Sequence, residues 1–167
     1  MKQLFTELRN DPDFYEEFLD FYDGPEEQAR NYFDYNFENF LSRLNSLQTH
    51  DLGVLVWRVI NVKDITGINL NNIGASWSYN KSTAHAWYGG DGQSFLIEAV
   101  IPFSEIDIET TLRQNLVNAE EEEFRLNPEA EVFILKIYDP EGKELRSFDE
   151  PQKSSSGKIG IFGDWNE

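Results

Sequence analysis

The hydrophobic period of this chain changes once, at Gly53, and that change limits the folds open to it. Before it, apolar residues recur at helical spacing; after it, short β-rich runs are separated by turn residues. Helices first and strands later is an α+β order, and it argues against a doubly wound parallel sheet. The 167 residues fit one domain, expected as a helical part over 1–50 and a β-rich core over 53–162.

Met1-Lys2-Gln3 leads straight into a charged helix. In Asp11-Pro12-Asp13 a capping carboxylate precedes a proline at the first helical position, and Phe14, Phe18, Phe21 and Tyr22 follow at helical spacing. Asp23-Gly24-Pro25 ends that helix, and Glu26 and Glu27 suit the positive end of the next. Phe33, Phe37, Phe40, Leu41, Leu44 and Leu47 then form one apolar face, read as core.

Strands are expected at Val54–Ile60, Ile73–Tyr79, Phe95–Ile101, Val132–Tyr138, Glu144–Phe148 and Ile159–Phe162. Between them come a helical turn over Ser82–Tyr88 capped by Ser82, a Gly89–Gly92 loop, a short helix near Thr110–Leu116 and a Pro151–Gly157 loop.

Composition removes several function classes. Without cysteine there is neither a disulfide nor a thiolate zinc site, and His50 and His85 alone make a histidine zinc site improbable, so no metal is expected. The formal charge of -17 opposes tight binding to a nucleic-acid backbone and favours a basic protein partner or simple solubility. No apolar run is long enough to span a membrane and no signal peptide is visible, so a soluble cytoplasmic protein is expected. Ser154-Ser155-Ser156-Gly157-Lys158 lacks the spacing of a phosphate loop, no Gly-X-Gly-X-X-Gly exists, and Asp139–Glu144 lacks calcium-loop spacing.

Glu120-Glu121-Glu122-Glu123-Phe124-Arg125-Leu126 carries the most specific chemistry. Phe124 and Leu126 alternate with polar neighbours, as on a half-buried strand. If both point into the core, Glu121, Glu123 and Arg125 share the opposite face, two carboxylates side by side. Arg58, in mid-strand among valines, needs an anionic partner, either one of the many glutamates or the oxygens of a phosphate group. Ser76 and Ser78 share a strand face, and Trp87 and Tyr88 offer flat rings beside a glycine loop, or pack in the core.

In combination, Arg58, Ser76-Trp77-Ser78 with its following helical turn, and Glu121-Glu122-Glu123 resemble the three ordered motifs of the ADP-ribosyltransferase fold of the arginine-serine-glutamate type. The resemblance covers roughly residues 53 to 138, and Trp77 stands where threonine is commoner. It implies N-terminal helices before a mainly antiparallel split β-sheet, and a compact mono-ADP-ribosyltransferase of bacterial or phage type that uses NAD as co-substrate. Arg58 would clamp the pyrophosphate, with Ser76 and Ser78 near the cofactor and Trp87 or Tyr88 against the nicotinamide. Glu123 would stabilise the oxocarbenium-like ribose, Ser76 would orient Glu123, and Glu121 would position the acceptor nucleophile. The acceptor would be a macromolecule, protein before nucleic acid given the charge, and water in its place would give NAD hydrolysis. A second class, a non-enzymatic acidic inhibitor that mimics nucleic acid on a basic partner, explains the composition but not Arg58. A glycosidase pair is disfavoured because carboxylates two apart on one strand lie too close together.

Overall fold

The computed structural model describes residues 1–89 and 93–158. Three helices open the chain: α1 (Lys2–Arg9), α2 (Pro12–Phe21) and α3 (Glu26–Arg43). Asp11 caps α2 as its sequence requires, its carboxylate accepting from the Asp13 N–H at 2.9 Å with Pro12 at the first helical position. Phe33, Phe37, Phe40 and Leu44 are buried along α3 and the short 3-10 turn that extends it, with Leu41 and Leu47 half-buried beside them. Burying each of these large side chains contributes about 1.5–3 kcal/mol. Phe21 departs from the expected face and is 71% exposed. The chain leaves the helix at Tyr22, whose backbone is extended, and Tyr22 packs inward against Phe18 and Tyr32 in its place.

The described strands form one antiparallel sheet, so the architecture is α+β with N-terminal helices and an open antiparallel sheet. They are β1 (Thr49–His50), β2 (Gly53–Val62), β3 (Ser76–Ser78), β4 (Gln93–Ile101), β5 (Glu123–Arg125), β6 (Glu131–Tyr138) and β7 (Glu144–Ser155). The lateral order is β5-β3-β2-β4-β6-β7, with β1 paired to the start of β2. β2 and β4 pair continuously from Val54↔Ile101 to Val62↔Gln93, whereas β2 and β3 share the single pair Trp57↔Ser78. That contrast makes the β2–β3 seam the narrowest part of the sheet.

Alternation divides β2 between two environments. Val54 and Val56 face the main core with the helical phenylalanines, joined there by Ile97 and Ala99 of β4 and Val132 of β6. Trp57, on the other face, packs with Leu96, Ala84 and Tyr88 under α4 (Lys81–His85). Asn80, not Ser82, caps α4: its side chain accepts from the Ser82 N–H at 2.9 Å. α5 (Ile108–Val117) is capped by Asp107 and lies against α1 and α3.

Two boundaries differ from the sequence reading. The strand expected over 73–79 pairs only over Ser76–Ser78. Conversely, β7 runs through Pro151 to Ser155, where a loop was expected. β7 is an edge strand, and its register with β6 jumps from Lys136↔Ser147 to Ile134↔Gln152, so Pro151 falls in a stretch without ladder partners. The expected strand Ile159–Phe162, and Gly90–Gly92 of the glycine loop, lie outside the described residues.

Candidate active site at the β2–β3 seam

Folding makes neighbours of the three strands that carry the sequence motifs. β5 with Glu123, β3 with Ser76 and Ser78, and β2 with Arg58 lie side by side. Phe124 pairs with Trp77 and both are fully buried, as is Leu126. This burial fixes the register: Glu123 and Arg125 take the face opposite the core, opposite Ser78 and Ser76 respectively. The direct pairs Glu123↔Ser78, Ser78↔Trp57, Trp57↔Glu98 and Glu98↔Lys136 form a row across the sheet, on the face that carries α4.

Arg58 alternates to the core side of β2, then reaches across the seam, where Nη1 donates to the Ser76 carbonyl. A side-chain donor thus meets a strand carbonyl just beyond the last β2–β3 pair. Gly74, at φ +93°, lies against the guanidinium; a Cβ there would stand 2.7 Å from Arg58 Cζ. Burial lowers the Arg58 pKa from its ordinary value, Glu123 opposes that shift and Arg125 adds to it. Nε of Arg58 is buried without a partner. Among the described residues Arg58 makes no direct ion pair with a glutamate; Glu123 acts on it through its field.

Arg125 is the residue the sequence reading left without a role. Its Nη1 donates to Ser76 Oγ and to Glu123 Oε1, the latter at 3.3 Å. Ser76 therefore reaches Glu123 through Arg125 and not directly. Glu123 remains partly accessible, its side chain 16% exposed. The signal for Arg125 was present in the alternation that put it on the Glu123 face.

Glu121 does not stand beside Glu123. Residues 119–121 form a 3-10 turn, and Glu122 is left-handed at φ 49°, ψ 49°, so the strand begins only at Glu123. Alternation cannot carry back through that turn. The Glu121 carboxylate accepts instead from Gln114 Nε2 at 3.0 Å and Asn118 Nδ2 at 2.9 Å. Glu122 is fastened too: its Oε2 accepts from Thr83 Oγ1 at 2.6 Å and its carbonyl from the Tyr79 N–H at 2.9 Å.

Ser78 serves the turn into α4, donating to the Asn80 carbonyl at 2.9 Å and accepting from the Asn80 N–H at 3.1 Å. Tyr88 packs with the Trp57 cluster, lies edge-on to His85 and donates to the Asp139 carbonyl at 3.4 Å. Trp87 is 59% exposed. Glu98 went unremarked in its apolar strand, although the logic applied to Arg58 applies equally to it. Its Oε2 accepts from Trp57 Nε1 and from Tyr138 Oη, each at 3.1 Å. Burial, then the Glu98 charge and hydrogen bond, push the Tyr138 phenol up to about 12.

Among the described residues no cluster of three or more metal-ligating side chains occurs, and no helix is long and apolar enough to cross a membrane. Comparison with protein-family models, curated proteins and solved structures finds no match to this chain.

Proposed function

We propose that the protein is an NAD-dependent ADP-ribosyltransferase whose site is the β2–β3 seam. The observation that carries this reading is the convergence of Arg58, Ser76 and Glu123, far apart in sequence, on adjacent strands: Arg58 donates to the Ser76 carbonyl, and Arg125 joins Ser76 Oγ to Glu123. The single Trp57↔Ser78 pair is the thinnest join within the one sheet, and the split of that fold would fall there.

Arg58, half-buried against Gly74 with its Nη1 on the Ser76 carbonyl, is the cation this reading sets against the pyrophosphate, since a guanidinium forks onto phosphate oxygens. NAD would supply a nicotinamide–ribose bond whose electron pair leaves with neutral nicotinamide, while the acceptor nucleophile bonds the ribose carbon and gives up its proton to solvent. Glu123 is the carboxylate set against the positive charge that develops on the ribose. Arg125 acts through Glu123 as a positioning residue, limiting its rotamers from one side with Ser76 behind it. Trp87, exposed after α4, is available to stack on the nicotinamide ring. Glu121, bonded to Gln114 and Asn118 away from Glu123, is not assigned the positioning of the acceptor nucleophile in this reading.

The formal charge of -17 favours a basic protein as acceptor over a nucleic acid. The test is incubation with NAD labelled in the adenylate part and a cell lysate, for the wild type and Glu123→Gln. Label appearing on protein with the wild type and absent with the variant supports the proposal. A folded wild type that labels nothing overturns it and leaves the acidic inhibitor of a basic partner as the better reading.

A further inference from the structure

The residue before Glu123 is held in an unfavourable backbone conformation. Glu122 sits at φ 49°, ψ 49°, the left-handed state that crowds the Cβ of any residue but glycine. Such a state persists only where the surroundings over-determine it, and residues held this way cluster at functional sites. Glu129, the other non-glycine residue with positive φ among the described residues, is exposed in a turn. Glu122, by contrast, is half-buried and leads directly into β5.

Three elements meet on this short stretch. The Glu122 carbonyl accepts from the Tyr79 N–H, just beyond β3, at 2.9 Å. The Glu123 carbonyl accepts from Nδ2 of Asn115, fully buried on α5, at 2.7 Å. From α4, Thr83 Oγ1 donates to Glu122 Oε2 at 2.6 Å, a bond that a carboxylate acceptor makes stronger than a neutral one would. The first two ties hold the backbone, and the third holds the Glu122 side chain. α4 also leads directly to Trp87, whose N–H donates to the Ala84 carbonyl at 3.1 Å. The helix that holds Glu122 thus carries the ring set against nicotinamide.

We propose that Thr83 is a positioning residue for Glu123, acting through Glu122; this rests on the reading of Glu123 as the carboxylate that meets the ribose. The hydroxyl fixes the Glu122 rotamer and, with it, the left-handed backbone. That backbone sets the direction in which the next Cα–Cβ bond leaves, and so where the Glu123 carboxylate stands. Without the tie, Glu122 relaxes toward an ordinary negative φ, which rotates the peptide between the two glutamates and turns Glu123 away. Arg125 limits the Glu123 side chain, and Thr83 limits the backbone beneath it. The same bond keeps Trp87 and Glu123 in fixed relation, because α4 carries one and holds the residue before the other.

The experiment compares the full-length wild type, Thr83→Val and Thr83→Ser in two measurements: steady-state nicotinamide release from NAD, and hydrogen exchange at the Tyr79 amide. Valine keeps the shape of threonine without its hydroxyl. Thr83→Val is expected to lower kcat by about tenfold or more and to leave KM for NAD within about twofold, the pattern of a misplaced transition-state group. Exchange at Tyr79 is expected to quicken by about fivefold relative to the amides of β4, which report on the fold as a whole. Thr83→Ser, which keeps the donor, should restore both. The proposal is overturned if Thr83→Val keeps its kcat, if the loss falls on KM alone, if Tyr79 exchanges no faster than the β4 amides require, or if Thr83→Ser is as slow as Thr83→Val. A folded wild type that releases no nicotinamide overturns the NAD reading and this role together. An active wild type with an unaffected Thr83→Val overturns the role of Thr83 alone.

Discussion

Arg58→Met separates a residue kept for structure from one kept for a ligand. In the folded protein the guanidinium makes one hydrogen bond, Nη1 to the Ser76 carbonyl, and its Nε is buried without a partner. Losing a hydrogen bond from a charged donor costs about 1.5–3 kcal/mol. Against that, methionine of similar length carries no charge to desolvate and meets no repulsion from Arg125. Replacing a whole buried ion pair by apolar groups of similar volume is often neutral, or stabilising by about 1–4 kcal/mol, and removing one desolvated arginine that makes no direct ion pair recovers part of that. The attraction to Glu123 is also lost, and it offsets part of the gain. The expected net change lies within about 2 kcal/mol of zero. Urea unfolding of both proteins gives this difference through the midpoint at constant slope. NAD binding, followed by titration, should fall at the same time by tenfold or more. A loss of stability above about 3 kcal/mol, the cost of breaking a buried ion pair from one side, would refute the reasoning and make Arg58 a structural cation.

Gly74→Ala places a Cβ 2.7 Å from the Arg58 guanidinium at a φ of +93°, so it should destabilise by more than about 1 kcal/mol. Part of that loss should vanish in the Gly74→Ala/Arg58→Met double variant, a coupling that denaturant midpoints would show. Tyr79 buries a hydroxyl that has no partner, so Tyr79→Phe should leave stability unchanged or raise it by about 1 kcal/mol in the same assay. The Tyr138 phenol is raised from 10.0 to about 12 in the folded state, so the protonated form is the one folding favours. Its contribution is complete below pH 10.0 and is lost as pH rises from there through about 12. Tyr138→Phe should therefore flatten the alkaline fall in stability measured by thermal unfolding across that window.

Much of the fold could be read from the sequence because local chemistry and tertiary packing agree there. Asp11-Pro12 starts α2 and the α3 phenylalanines enter the core at the expected spacing. β4 ends at Ile101, one residue before Pro102. The glutamate run was legible only from Glu123 onward. Burial of Phe124 and Leu126 fixed the register of the strand, but nothing among four identical residues marked Glu122 as left-handed; no glycine or asparagine occupies that position. The turn is imposed from outside, by Thr83, Gln114 and Asn118, residues that sequence alone does not bring together. Arg125 was legible as a face and illegible as a contact, since its bridge needs β3 and β5 to pair Ser76 with Arg125. The run through Pro151 was hidden for the opposite reason: proline signals a break, and only an edge strand with a register jump accommodates it.

The central claim rests on Glu123, the partly exposed carboxylate that Arg125 ties to Ser76. Its most direct test is nicotinamide release from NAD, followed over time for the wild type and Glu123→Gln at equal folded concentration. The account predicts release by the wild type, faster with a suitable acceptor, and a loss of at least about a hundredfold in the variant, the scale for removing one electrostatic stabiliser of a transition state. Release that persists unchanged in Glu123→Gln, or a folded wild type that releases none with any acceptor offered, would contradict it.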